Sequence, residues 1–140
     1  LIAERVATNQ EAAMGSPLAI VQEVYQAFGR GDIPALLDLL ADEVDWKFVG
    51  SPRIPYSGLR RNAQEVARFF EEVAQADDIH VFEPREFIDA GESVVVLGFE
   101  RSTARVEGTT FESEWVHVFT VRHGKVTRWR GFYDTAARFG

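Results

Sequence analysis

The sequence predicts an α+β fold, in which three helices and one short strand precede a meander of four long antiparallel strands. Three observations carry this. Apolar residues recur at helical spacing up to Ala76, and from Asp77-Asp78 onward the period changes from about 3.6 to 2. Gly91, Gly108 and Gly124 then divide the rest of the chain into four runs of strand length. Finally, 140 residues, 46% apolar and 12% aromatic, are one domain's length with enough apolar mass for one core.

The first element starts at Ser16-Pro17, a good N-cap followed by the residue that best fits the first helical position. Leu18, Val21, Val24, Tyr25 and Phe28 follow at helical spacing, and Gly29 and Gly31 end the run. Asp32 caps a second, short helix with Leu36, Leu37 and Leu40 on one face, so the two form a helical hairpin. Val44–Val49 reads as a short strand. Gly50–Gly58 carries two prolines and two glycines and reads as a loop. Asn62-Ala63-Gln64-Glu65 has capping-box spacing and opens a third helix with Val66, Phe69, Phe70 and Val73 inward. The four strands fall at about Ile79–Ile88, Ser93–Thr103, Thr109–Val121 and Lys125–Asp134, with Pro84 marking a bulge or an edge in the first of them. Residues 1–15 show neither a signal-peptide core nor a core periodicity and are set apart as an extension, with residues 16–138 as the domain.

Charge and composition remove several classes of function. Fifteen Lys and Arg against 22 Asp and Glu give a net charge of −7, which argues against nucleic acid and against an anionic membrane surface. Without cysteine there is no disulfide, thiolate metal site or cysteine nucleophile. The three histidines lack ligand spacing, so no metal site is expected, and acid/base chemistry by proton transfer alone would need no cofactor. No apolar run reaches the roughly 18 residues of a membrane span, and the expected location is cytoplasmic.

The strand containing Trp115 splits cleanly. Phe111, Ser113, Trp115, His117, Phe119 and Val121 share the face that must meet the helices. On the last strand Trp129, Gly131 and Tyr133 oppose Arg128, Arg130 and Phe132. A two-residue loop at His123-Gly124 would set Phe119 against Arg128. A three-residue loop pairs His117 with Trp129 and Trp115 with Gly131, and is the expected register. On the strand before, the expected inward face is Val95, Leu97, Phe99, Arg101 and Thr103. Val94 and Val96 then fall outward with Val116, Val118 and Phe132, as the surface of a homodimer.

This order of elements resembles the nuclear transport factor 2-like fold. The local strings are similar to its SnoaL-like, ketosteroid-isomerase-like branch: Phe28-Gly29-Arg30-Gly31-Asp32, Trp46-Lys47-Phe48, Tyr56-Ser57-Gly58, Trp115-Val116-His117-Val118-Phe119, and Gly124-Lys125-Val126 running on to Trp129–Asp134. The resemblance spans about residues 16–138. It implies a curved antiparallel sheet wrapped round the three helices, cone-shaped, with an internal pocket. It does not carry over two of the branch's catalytic sets. The first-strand carboxylate of ketosteroid isomerases falls at Val49 or Gly50, and no acid stands inward beside Trp115 and His117. The set of limonene-type epoxide hydrolases falls at Trp46, Phe48, Arg101, Thr103 and Gly131, where only the arginine remains.

Within that pocket, three residues are candidate catalytic groups. His117 reads as a general acid/base at the pocket floor, or as a core histidine satisfied by its neighbours. Arg101 would hold an anionic ligand oxygen, or stand solvated at a strand end. Asp134 is an acid/base of the kind SnoaL-like cyclases carry on the last strand, or a turn or cap residue. Tyr25, Trp46, Phe48, Tyr56, Phe99, Trp115, Phe119, Trp129 and Tyr133 are the candidate ligand-binding residues, lining a pocket expected to be on the order of several hundred Å3. The expected function is binding of a small hydrophobic molecule, with cofactor-free acid/base catalysis of the SnoaL-like cyclase or isomerase type. The alternative is a non-catalytic ligand-binding or dimeric interaction module.

Overall fold

The computed structural model describes residues 15–139. All but the last position of the expected extension, residues 1–15, lies outside the described residues.

Helix α1 (Pro17–Gly29) begins where Ser16 Oγ accepts from the Ala19 amide at 3.1 Å, and it buries Ile20, Val21, Val24 and Ala27. Tyr25 and Phe28 flank that stripe and reach the sheet. Gly31, at φ 72°, turns the chain into α2 (Ile33–Leu37), whose Asp32 cap accepts from the Ala35 amide at 3.1 Å. Leu40, expected on this helix, instead opens strand β1 (Leu40–Phe48). After the loop comes an unanticipated short strand, β2 (Gly58–Arg60), paired with β1. Helix α3 (Ala63–Ala76) is capped by Asn62, whose Oδ1 accepts from the Glu65 amide at 2.9 Å. The strands β3 (Asp77–Ala90), β4 (Ser93–Ala104), β5 (Thr110–Arg122) and β6 (Lys125–Tyr133) follow, and a one-turn helix α4 (Thr135–Phe139) closes the described chain.

The sheet is curved and unclosed, in the order β2-β1-β6-β5-β4-β3. It is mixed, not wholly antiparallel as expected, because β1 and β6 run parallel. After β1 the chain passes through the loop and α3 and joins the sheet at its opposite edge. Four antiparallel strands later, β6 arrives beside β1 in the same direction. Pro84 lies on the edge strand β3, at a register shift between Pro84 and Glu86, where its missing N–H does least harm.

Two registers differ from expectation. The β5–β6 turn is the two-residue His123-Gly124 loop, with φ of 53° and 74°, so that Arg122 opposes Lys125. The face conflict is removed by a bulge at Thr127, which lets Phe119 meet Trp129, His117 meet Gly131 and Trp115 meet Tyr133. The inward face of β4 is also the opposite of the expected one. Val94, Val96, Gly98, Glu100 and Ser102 face the core, and Val95, Leu97, Phe99 and Arg101 face out. The cause is Gly98, which pairs with Trp115: a Cβ there would overlap the indole and the Glu83 carbonyl. Gly98 is the one glycine of β4.

The core sits between the concave face and the helices. Trp46 stacks on Trp129 at 4.4 Å between centroids, and Phe69 and Phe70 of α3 pack edge-on against that pair. Truncating a buried ring of this kind costs about 3–5 kcal/mol.

Candidate functional site

The concave face, α1 and α3 line a partly open cavity of about 90 Å3. Its walls are aromatic, with Phe28 from α1, Trp46 and Phe48 from β1, Phe69 and Phe70 from α3, Phe82 from β3, and Trp115 and Phe119 from β5. It is smaller than the several hundred Å3 expected, because the walls interlock. Trp115 stacks on Phe82 at 4.8 Å and on His117 at 4.0 Å between centroids.

Besides the unpartnered indole N–H groups of Trp46 and Trp115, hydrogen-bonded polar groups enter this wall at two places among the described residues. At one, Tyr25 Oη and His117 Nδ1 are 2.7 Å apart in a hydrogen bond. The sequence delivers this contact by periodicity: Tyr25 follows Val21 and Val24 on the inward side of α1, and His117 lies on the inward parity of β5. Burial drives the His117 pKa down to about 3 and that of the Tyr25 hydroxyl well up, so both are neutral at pH 7. His117 Nε2 has no hydrogen-bond partner among the described residues, and the ring keeps some accessible surface on the cavity it lines.

At the other place, where β3 begins, Asp77 is 4% exposed and Arg138 of α4 is 1% exposed. Arg138 Nη1 donates to Asp77 Oδ1, and Tyr56 Oη donates to Asp77 Oδ2 at 2.7 Å. Tyr56 Oη also lies 3.0 Å from Tyr133 Oη, and Arg138 Nη1 donates to both phenols at 3.3 Å. Burial first, then the neighbouring Tyr133 and Asp77, holds the Tyr56 proton in place. Beside this network stands Glu100, 8% exposed and lining the cavity. One of its oxygens accepts from Ser102 Oγ at 3.0 Å, and among the described residues it forms no ion pair. Burial, and then the charge of Asp77, outweigh the Ser102 hydrogen bond and Arg138 and push its pKa up to about 7.

Nine of the residues singled out from the sequence line the cavity: Tyr25, Trp46, Phe48, Tyr56, Trp115, His117, Phe119, Trp129 and Tyr133. Three do not. Arg101 is exposed on the outer face opposite Glu112, so the one arginine matching the epoxide-hydrolase pattern is outside the cavity. Phe99 lies on the same outer face beneath the Arg85 guanidinium, 4.6 Å from its ring centre. Asp134 is exposed and accepts from the Ala136 amide at 3.2 Å, capping α4. Sequence reasoning missed Glu100 and Asp77. Glu100 follows from the parity of Gly98, two residues before it. Asp77 carries no signal beyond the change of period.

The sequence profile of the SnoaL-like domain matches residues 21–129, more than three quarters of the chain. This chain belongs to the SnoaL-like domain family. An NTF2-like protein from Burkholderia xenovorans is 34% identical, with 88% of this chain and 92% of that chain covered and a TM-score of 0.79. TerC, crystallized with polyporic acid, is 29% identical, with 86% and 93% covered and a TM-score of 0.77. A putative polyketide cyclase from Pseudomonas putida, at 18% identity, 86% and 93% coverage and a TM-score of 0.67, shares the fold. Among curated proteins nothing matches this SnoaL-like chain. Among its described residues no helix is long and apolar enough to cross a membrane, and no three acids or histidines cluster as a metal site.

Proposed function

We propose that this SnoaL-like domain binds a small, flat, oxygen-bearing hydrophobic molecule in the cavity, with the ligand oxygen on His117 Nε2. The observation that carries this is a half-buried, neutral histidine that lines the apolar cavity, with one nitrogen held by Tyr25 and the other without a partner among the described residues. When Tyr25 donates to Nδ1, Nε2 carries the proton and donates to a ligand carbonyl. When the hydroxyl rotates and accepts from Nδ1–H, Nε2 becomes an acceptor for a ligand enol. The dyad thus matches both forms of a keto–enol pair without forming an imidazolium, which burial makes costly. Turnover of this kind would be cofactor-free proton transfer in a cytoplasmic setting, as in a cyclase or isomerase. Simple retention of the ligand is the alternative. Even a one-ring ligand has to displace some of the half-buried Phe28, Phe70 and Phe82, since a benzene-binding cavity is about 150 Å3.

Polyporic acid, the compound crystallized with TerC, is the first ligand to try. It should raise the melting temperature, and His117→Phe should weaken its binding about tenfold, the value of one hydrogen bond. No shift with the wild type at saturating compound, or full affinity in His117→Phe, would overturn the reading.

We also propose a homodimer through the outer sheet face. Ile88, Val95, Leu97, Phe99, Val116, Val118 and Phe132 form one half-exposed apolar surface there. Along β5 and β6 it is bounded by Glu112 and Glu114 at one end and by Arg128 and Arg130 at the other. A second copy related by a two-fold axis through the face would set Glu112 and Glu114, with Arg101 beside Glu112, on the partner's Arg128 and Arg130, which within one chain pair with Asp45. Light scattering at micromolar concentration should give twice the 15.8 kDa chain mass, and a monomer mass would refute it.

A further inference from the structure

The buried acid of the cavity, Glu100, has no function in the binding scheme above. Asp77 is fully engaged: both its oxygens accept, from Arg138 and from Tyr56. Arg138 is turned toward Asp77 and the two phenols. Glu100 is therefore left as a cavity-lining carboxyl held by Ser102 alone, without a cation. The groups that face it are Asp77 from β3, Arg138 from α4, Ser102 on its own strand and Ser113 opposite on β5, with Tyr56 and Tyr133 beyond. Phe82 faces it across β3 and Trp115 stands on the neighbouring strand, so the approach from the cavity is apolar. A lone carboxylate in that setting is unfavourable, and a neutral carboxylic acid is a hydrogen-bond donor.

We propose that Glu100 makes ligand binding proton-linked: the cavity takes a phenolate or enolate oxygen together with one proton, which resides on Glu100 and is shared with that oxygen. No bond of the ligand breaks. One solvent proton is bound and one O–H···O− hydrogen bond forms. A ligand lacking an acidic oxygen binds without this uptake, so Glu100 selects ionisable phenols and enols over plain ketones. This rests on the proposed cavity binding, and its ordinary range of action is set by a carboxyl that burial raises to about 7.

The test uses 2-hydroxy-1,4-naphthoquinone, an enolate at pH 8, in titration calorimetry with two buffers of different ionisation enthalpy. The wild type should take up close to one proton per site. Glu100→Gln should bind more weakly and take up none, and His117→Phe should keep the uptake while losing affinity. Binding without proton uptake, or uptake that survives in Glu100→Gln, overturns the proposal and leaves the binding reading standing. Should the quinone not bind at all, the binding reading fails, and infrared spectroscopy of the ligand-free wild type still judges Glu100. A neutral-acid carbonyl band at pH 6 that titrates near neutrality is expected, and its absence refutes the proposal without any variant.

Discussion

The two polar ends of the cavity are built in opposite ways. At the His117 end two neutral groups share one hydrogen bond, and one nitrogen is left over. At the Asp77 end four side chains from β3, β6, α4 and the Pro-rich loop hydrogen-bond one another, so that both Asp77 oxygens are filled and only Arg138 Nε lacks a partner. The difference separates structure from function. A buried charge pair with its partners in place fixes the chain, here tying the last helix and the Tyr56 loop to the start of β3. A desolvated neutral group with a free nitrogen contributes little to stability and is available to a ligand. Glu100 stands beside the first kind of site but, lacking a cation, behaves as the second.

The largest effect expected on this contrast is at Asp77. Asp77→Ala leaves the Arg138 guanidinium, 1% exposed, without its hydrogen-bonded carboxylate and with only the more distant Glu107, 3.9 Å from Nη2. Breaking a buried pair in this way costs about 3–5 kcal/mol, a large part of a domain's stability. Asp77→Asn keeps the volume and one acceptor and should cost less. Urea unfolding would read both, and a loss below about 1 kcal/mol in Asp77→Ala would show that the network is not what holds α4.

What the sequence made legible follows the same division. Period and turn residues located every long strand, and the parity of β5 put Trp115, His117 and Phe119 inward correctly. The β4 parity was misread because both of its faces begin with valines, so hydrophobicity could not choose between them. The deciding feature is steric: at position 98 a Cβ would overlap the Trp115 indole, and Gly98 has none. That one inversion moved Arg101 and Phe99 out of the cavity and Glu100 into it. The Thr127 bulge was hidden for a related reason, since a bulge restores face matching as well as a longer loop does. The Asp77–Arg138 pair joins residues 61 positions apart, and nothing local marks such a contact.

The finer test sets Glu100 against His117 through their opposite proton linkages. The folded state holds His117 neutral, with its pKa lowered to about 3, while the unfolded chain takes a proton below about 6.5. Its stabilisation is therefore complete above pH 6.5 and is lost as the pH falls. Glu100 is reversed: its folded pKa is raised to about 7 from an ordinary 4.5, so the folded state holds the extra proton. Its stabilisation is complete below pH 4.5 and is lost as the pH rises through 7. Between roughly pH 4.5 and 6.5 the two slopes oppose each other, each at most about 1.4 kcal/mol per pH unit. In Glu100→Gln only the histidine slope remains, and stability should climb with pH across that window. In His117→Phe only the carboxyl slope remains, and it should fall. The other titrating groups are common to both variants, so the difference between the two curves isolates the pair. Denaturant unfolding at half-unit pH steps should show that difference growing by about 2 kcal/mol or more over the window. Parallel curves would mean that neither group is desolvated as the cavity geometry requires.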